Sequence, residues 1–76
     1  MSEKLLKGKF TQAMFSPVGE DIYWVEGIIN GHENFEDGKY IHSSRVVAVN
    51  GNEIETLNSR YEFELREGIG IPAIFG

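Results

Sequence analysis

Two histidines and a run of carboxylates are the residues of this chain best suited to chemistry. His32, Glu33, Glu36 and Asp37 crowd one short stretch, and His42 follows soon after. Imidazole and carboxylate are what a divalent metal would take as ligands. The stretch Gly31-His32-Glu33-Asn34-Phe35-Glu36-Asp37-Gly38 lacks the regularly spaced acids of a calcium loop, however, and matches no zinc spacing. The chain also has no cysteine. It is therefore read as a solvated acidic loop, with no metal and no cofactor. Ser43, Ser44 and Ser59 offer hydroxyls, and His42 and Ser44, two apart, would share one face of a strand. That arrangement is common. No Gly-x-Ser-x-Gly elbow and no phosphate loop accompany it. A domain this small has little room for the usual pocket of about 300 Å³ or more. No catalytic residue is assigned, and a non-enzymatic role is expected. An enzyme would need a site shared between subunits around His42 and Ser44.

Binding is the better use of the same residues. The formal charge is −5. Glu20, Asp21, Glu26, Glu33, Glu36 and Asp37 follow one another with no Lys or Arg between them. Phosphate backbones are held by Lys and Arg that release counterions, so an acidic chain is a poor nucleic-acid binder. A nucleic-acid-associated barrel using Lys4, Lys7, Lys9, Arg45 and Arg60 is the alternative. Tyr23, Trp24, Tyr40 and Tyr61 could stack bases, but the bases of the protein do not interleave with them, and each ring is read as core or half-buried. Loops on rigid scaffolds commonly carry recognition. The expected partner-binding set is His32, Glu33, Phe35, Glu36 and Asp37, with His42 and Arg45 nearby. Phe35 is also the residue expected to anchor the loop. A protein partner with a basic surface would suit this charge.

The elements that must position these residues are strands. Arg60-Tyr61-Glu62-Phe63-Glu64-Leu65-Arg66 alternates apolar and charged side chains, which puts Tyr61, Phe63 and Leu65 on a core face. Arg45–Val49 and Asn52–Leu57 read as a hairpin about Asn50-Gly51, a type I′ signal. On that register Val47, Val49, Ile54 and Thr56 share a face, joined by Ile41 and Ser43 if the first strand starts near Tyr40. Ile22–Ile29 is apolar on both faces apart from Glu26, as a covered strand would be. Gly27 inside it marks a bulge or a close backbone approach. Lys9–Phe15 is a weaker strand, Ser16-Pro17-Val18-Gly19 a turn, and residues 30–38 the one long loop. A helical turn through Leu5 and Leu6 is a further, weaker option.

With 76 residues the chain is one domain with a small core. The expected fold is all-β, a small five-stranded antiparallel meander closed as an SH3-like barrel or similar, spanning residues 1–76. The tail 68–76 carries no charge and holds Ile69, Ile71, Ile74 and Phe75. Left in water it would be sticky. It is expected either to fold back on its own domain or to form an interface with a second copy, giving a homo-oligomer. There is no apolar run of membrane-spanning length and no secretory leader pattern, so a cytoplasmic location without membrane association is expected.

The pattern Gly31-His32-x-x-Phe35-x-Asp37-Gly38, then Ile41, Ser44-Arg45-Val46-Val47 and Thr56-x-Asn58-Ser59-x-Tyr61, resembles small uncharacterised proteins carried by tailed phages and other mobile elements. The resemblance spans about residues 27–65. It implies a mobile-element setting, in which a host protein would be the partner, and it implies no activity. Physically the pattern reads as a scaffold. The glycines make turns, Ser44-Arg45 pairs with the acidic loop, and the Asn58 side chain closes the last turn.

Overall fold

A computed structural model describes residues 4–76. Six strands form one sheet: β1 (Leu6–Gly19), β2 (Ile22–Asn30), β3 (Lys39–His42), β4 (Val46–Asn50), β5 (Glu53–Thr56) and β6 (Arg60–Leu65). Their order is β3-β2-β1-β6-β5-β4. The all-β class holds. The sheet has six strands rather than five, because the segment beginning at Tyr40 breaks at residues 43–45. It is mixed rather than antiparallel, because β1 and β6 run parallel. It is also not closed: β3 and β4 are its two edges. It curls enough for β4 to approach β2 across the interior.

Ser43 makes that curl possible. Its N–H donates to the Val25 carbonyl at 2.7 Å, and its hydroxyl accepts the Val25 N–H at 3.0 Å. The same hydroxyl donates to the Ser44 carbonyl at 2.7 Å. A buried side chain thus replaces a ladder partner where β3 stops pairing. Unpaired buried amides are costly, so this substitution is what lets the chain turn there.

Two bulges set which residues face inward. Thr11 pairs with Ile28 and Met14 with Glu26, so Gln12 and Ala13 together oppose Gly27. Gln12 takes φ +52°. The extra residue turns both Phe10 and Ala13 toward the core although they are three apart. Gly27 is required beneath it, since an added Cβ would lie 2.8 Å from the Thr11 carbonyl oxygen and 3.0 Å from the Ala13 Cα. The second bulge, between Val46 and Ala48, reverses the expected phase at Val46 and Val47. Val46 is buried and Val47 is exposed, while Val49 still packs on the core. The hairpin turn is also one residue later than the Asn-Gly signal placed it. Asn50 pairs with Glu53, and positive φ falls on Gly51 and not on Asn50.

β1 runs further than expected at both ends. Leu6 begins it instead of a helical turn, and Pro17 lies inside it, paired with Tyr23. The turn into β2 is Glu20-Asp21. Pro17 is tolerated because β1 pairs with β6 only as far as Ala13, so beyond it β1 is an edge on that side. The core is Phe10, Ala13, Phe15, Val25, Ile29, Val46, Ile54, Tyr61 and Phe63. Phe10 meets Tyr61 with centroids 5.0 Å apart, and Phe15 meets Phe63 edge-on at 5.9 Å. The tail folds back through a 3-10 turn at Ala73–Phe75. Phe75 packs 5.8 Å from both Phe15 and Tyr23. Ile69 is partly covered, whereas Ile71 and Ile74 stay exposed.

Candidate functional site

The loop and the histidines divide between two surfaces. The loop opens at Gly31 with φ +76° and closes at Gly38 with φ +87°. The Asp37 carboxylate accepts the Gly31 N–H at 2.8 Å, and the Gly38 N–H donates to the Ile29 carbonyl at 2.9 Å. Asp37 is therefore a clasp across the loop mouth. His32 Nδ1 accepts the Asn34 N–H at 3.0 Å, which leaves the ring proton of the neutral form on Nε2. The His32 ring lies over Tyr61 at 6.1 Å and meets Phe35 edge-on at 4.8 Å. His32 buttresses the loop. Phe35 rests on that histidine and not in the core, and stays 39% exposed.

Glu33 and Glu36 point into water. Glu33 lies 3.7 Å from the Lys7 ammonium, a loose surface contact. Between this loop and the start of β1 is a cleft of about 200 Å³, lined by Leu5, Leu6, Lys7, Gly31 and Glu33. Leu5 is 68% exposed and Leu6 45%. The result is a cleft lined by two exposed leucines with one carboxylate, Glu33, and one ammonium, Lys7.

His42 is at the other end of β3, away from the loop. Glu26 pairs with His42 across the ladder, and Met14 pairs with Glu26. On the outer face there, the His42 ring stacks on Trp24 with centroids 3.7 Å apart. Its Nδ1 lies 2.9 Å from the Ser43 carbonyl, which can only accept, so Nδ1 carries the proton of that contact. Glu26 is the hub of this face. Oε1 accepts from the Ser16 hydroxyl at 2.6 Å and the Trp24 indole N–H at 3.1 Å. Oε2 accepts from the Tyr40 hydroxyl at 2.7 Å. These donors, Ser16 first, then Tyr40 and Trp24, hold the Glu26 carboxyl below the usual carboxylate range. The same bond to Glu26 raises the Tyr40 hydroxyl above its ordinary value, and the nearby Arg66 guanidinium opposes that.

The remaining sequence candidates fall differently. Ser43, between His42 and Ser44, is buried and committed to the backbone, while Ser44 is exposed. Arg45 is exposed and, among the described residues, meets no acid within 4 Å, so the expected pairing with the acidic loop does not form. The last turn is closed by Thr56 and not by Asn58: Thr56 Oγ1 accepts the Ser59 N–H at 3.2 Å and donates to the Ser59 carbonyl at 3.1 Å. Lys4 pairs with Glu55 at 2.8 Å, Arg60 with Glu53 at 2.7 Å, and Lys9 with Glu64. Among the described residues no group of three or more His, Asp and Glu side chains is placed to hold one metal ion.

Sequence reasoning missed Glu26 as a hub, with Ser16, Trp24, Tyr40 and Arg66 around it. The available signal was a single acid in an otherwise apolar strand, two residues from the only tryptophan and hence on its face. Compared with protein-family models, curated proteins and solved structures, the chain matches none.

Proposed function

We propose that this chain is a small non-enzymatic interaction module of a phage or mobile element. It grips a basic, partly apolar segment of a partner protein at the loop end of its sheet. The observation that carries this reading is the cleft between residues 5–7 and the 31–38 loop, lined by the exposed Leu5 and Leu6 and by Glu33 beside Lys7, with Glu36 exposed on the same loop. An apolar side chain of the partner packs on Leu5 and Leu6, and flanking cations meet Glu33 in the lining and Glu36 further along the loop. Covering one leucine contributes about 1.5–3 kcal/mol, whereas each rim contact adds under about 1 kcal/mol and mainly speeds association. The pairing of Lys4, Lys9 and Arg60 with acids supports a protein partner over a phosphate backbone.

Tagged protein recovered from a nuclease-treated lysate tests this, in three forms: unaltered, Leu5→Asp/Leu6→Asp, and Glu33→Lys/Glu36→Lys. One defined protein retained by the first and lost by both variants is the expected result. Retention by both variants, or loss of all bound material on nuclease treatment, overturns it. Trp24 emission confirms that each form is folded.

A further inference from the structure

We propose that the outer face of β2 and β3 is a receptor for a guanidinium group, the side chain of an arginine presented by another protein. Glu26 supplies the charge. Its carboxylate has four acceptor positions, and the Ser16, Trp24 and Tyr40 donors fill three of them, two on Oε1 and one on Oε2. The position left on Oε2 is the one beside Tyr40. The three donors fix the carboxylate in place before any ligand arrives, so binding does not have to order it.

The rings supply the rest. Trp24 and His42 form one stacked wall, and Tyr40 is 52% exposed with its hydroxyl pinned to Glu26. Ordering a side chain costs entropy, and here that order buries little of the tyrosine ring. Such order at an exposed surface suits a ligand. A guanidinium is planar and can lie flat on an aromatic face while one of its N–H groups reaches the open Oε2 position, whereas an ammonium has no flat face to stack. The chain itself provides a precedent. Arg66, just past the end of β6, lies near enough to Tyr40 to oppose the rise of its hydroxyl, so a guanidinium already stands near this surface. Arg66 is exposed, and an incoming arginine competes with it. A phosphate or carboxylate ligand is disfavoured by the Glu26 charge.

Trp24 is the only tryptophan of the chain, so its emission and its indole N–H resonance report on this surface alone. The test titrates the full chain with N-acetyl-arginine amide, using N-acetyl-citrulline amide as the neutral isostere. A saturable response with a dissociation constant of about 1–10 mM is expected for a single side chain, with none from citrulline. Glu26→Gln keeps an acceptor and removes the charge, and should weaken binding about tenfold or more. Arg66→Ala removes the competitor and should strengthen binding about threefold, a gain that a purely structural network would not give. The proposal is overturned by a non-saturable response, an equal response to citrulline, unchanged affinity in Glu26→Gln, or weaker binding in Arg66→Ala. Equal affinity for N-acetyl-lysine amide overturns the guanidinium assignment. The site is separate from the cleft, so Glu33→Lys/Glu36→Lys should leave this titration unchanged even if the cleft binds nothing.

Discussion

Replacing Gly27 by alanine tests the central packing argument of this fold. The added Cβ would lie 2.8 Å from the Thr11 carbonyl oxygen, 3.0 Å from the Ala13 Cα and 3.2 Å from the Gln12 carbonyl oxygen. All three are backbone atoms of the bulge on β1, so no side chain can swing away to make room. Either β2 moves out or the bulge is rebuilt, and overpacking of this kind costs about 1–3 kcal/mol. The upper half of that range applies, because the contacts are with backbone on a strand bonded on both sides. A domain of this length has about 4–11 kcal/mol of stability in all. At a urea slope of about 1 kcal/mol per molar, the midpoint should fall by about 2–3 M. Trp24 emission and far-ultraviolet circular dichroism follow the transition together. Gly51→Ala is the control: Gly51 has φ +61° and open space around it, so only backbone strain of about 1 kcal/mol is expected. A Gly27→Ala midpoint no lower than that of Gly51→Ala would refute the close-approach argument.

Two further outcomes follow from the same structure. Ser43→Ala leaves the Val25 N–H without its side-chain acceptor in the core; it should cost about 2 kcal/mol, lowering the thermal midpoint by about 8–16 °C. Unchanged hydrogen exchange at the Val25 amide would contradict this. Glu26 ties stability to acid pH. Its folded carboxyl is held below the unfolded value of about 4.3, so its stabilising contribution is complete above that value and is lost as pH falls through the folded one. Thermal midpoints from pH 7 to pH 3 should show the unaltered protein and Glu26→Gln converging toward acid, and a constant gap would rule this out.

The strands were legible where alternation was clean. Tyr61 and Phe63 are buried as their spacing required, and the 31–38 loop lies between β2 and β3 where its two glycine turns placed it. Gly27 was legible too, because a glycine inside a strand has few other reasons to be there. Failures came from events that carry no period. A bulge at Val47 turns Val46 inward and Val47 outward while Val49 keeps its expected side, and nothing in Val46-Val47-Ala48-Val49 marks where the phase changes. Pro17 read as a turn because its edge position depends on where β6 ends, which is a fact of tertiary pairing. Of the expected partner-binding residues, His32, Glu33, Phe35, Glu36 and Asp37 form one end of the molecule, with His42 and Arg45 outside that group. His42 belongs instead to a surface assembled from β1, β2, β3 and the end of β6. Four segments that meet only on folding leave no spacing to find.

The ion pairs explain why the net charge understates how polarised the molecule is. Lys4, Lys9 and Arg60 are each held against an acid on β5 or β6. Those cations are spent within one side of the sheet. Among the described residues, the acids of β2 and its flanking loops form no ion pair apart from the loose contact of Glu33 with Lys7, with Arg66 near the Glu26–Tyr40 pair. An approaching basic segment therefore meets a negative field at the loop end and over Glu26, and little field along β5 and β6. At physiological salt such fields reach about 8 Å, so they act in the last steps of docking. Steering of that kind is sensitive to ionic strength, whereas apolar contacts in the cleft are not. Raising salt should slow association with a basic partner far more than it speeds dissociation, and the acids around the two surfaces, not the total charge, set that dependence.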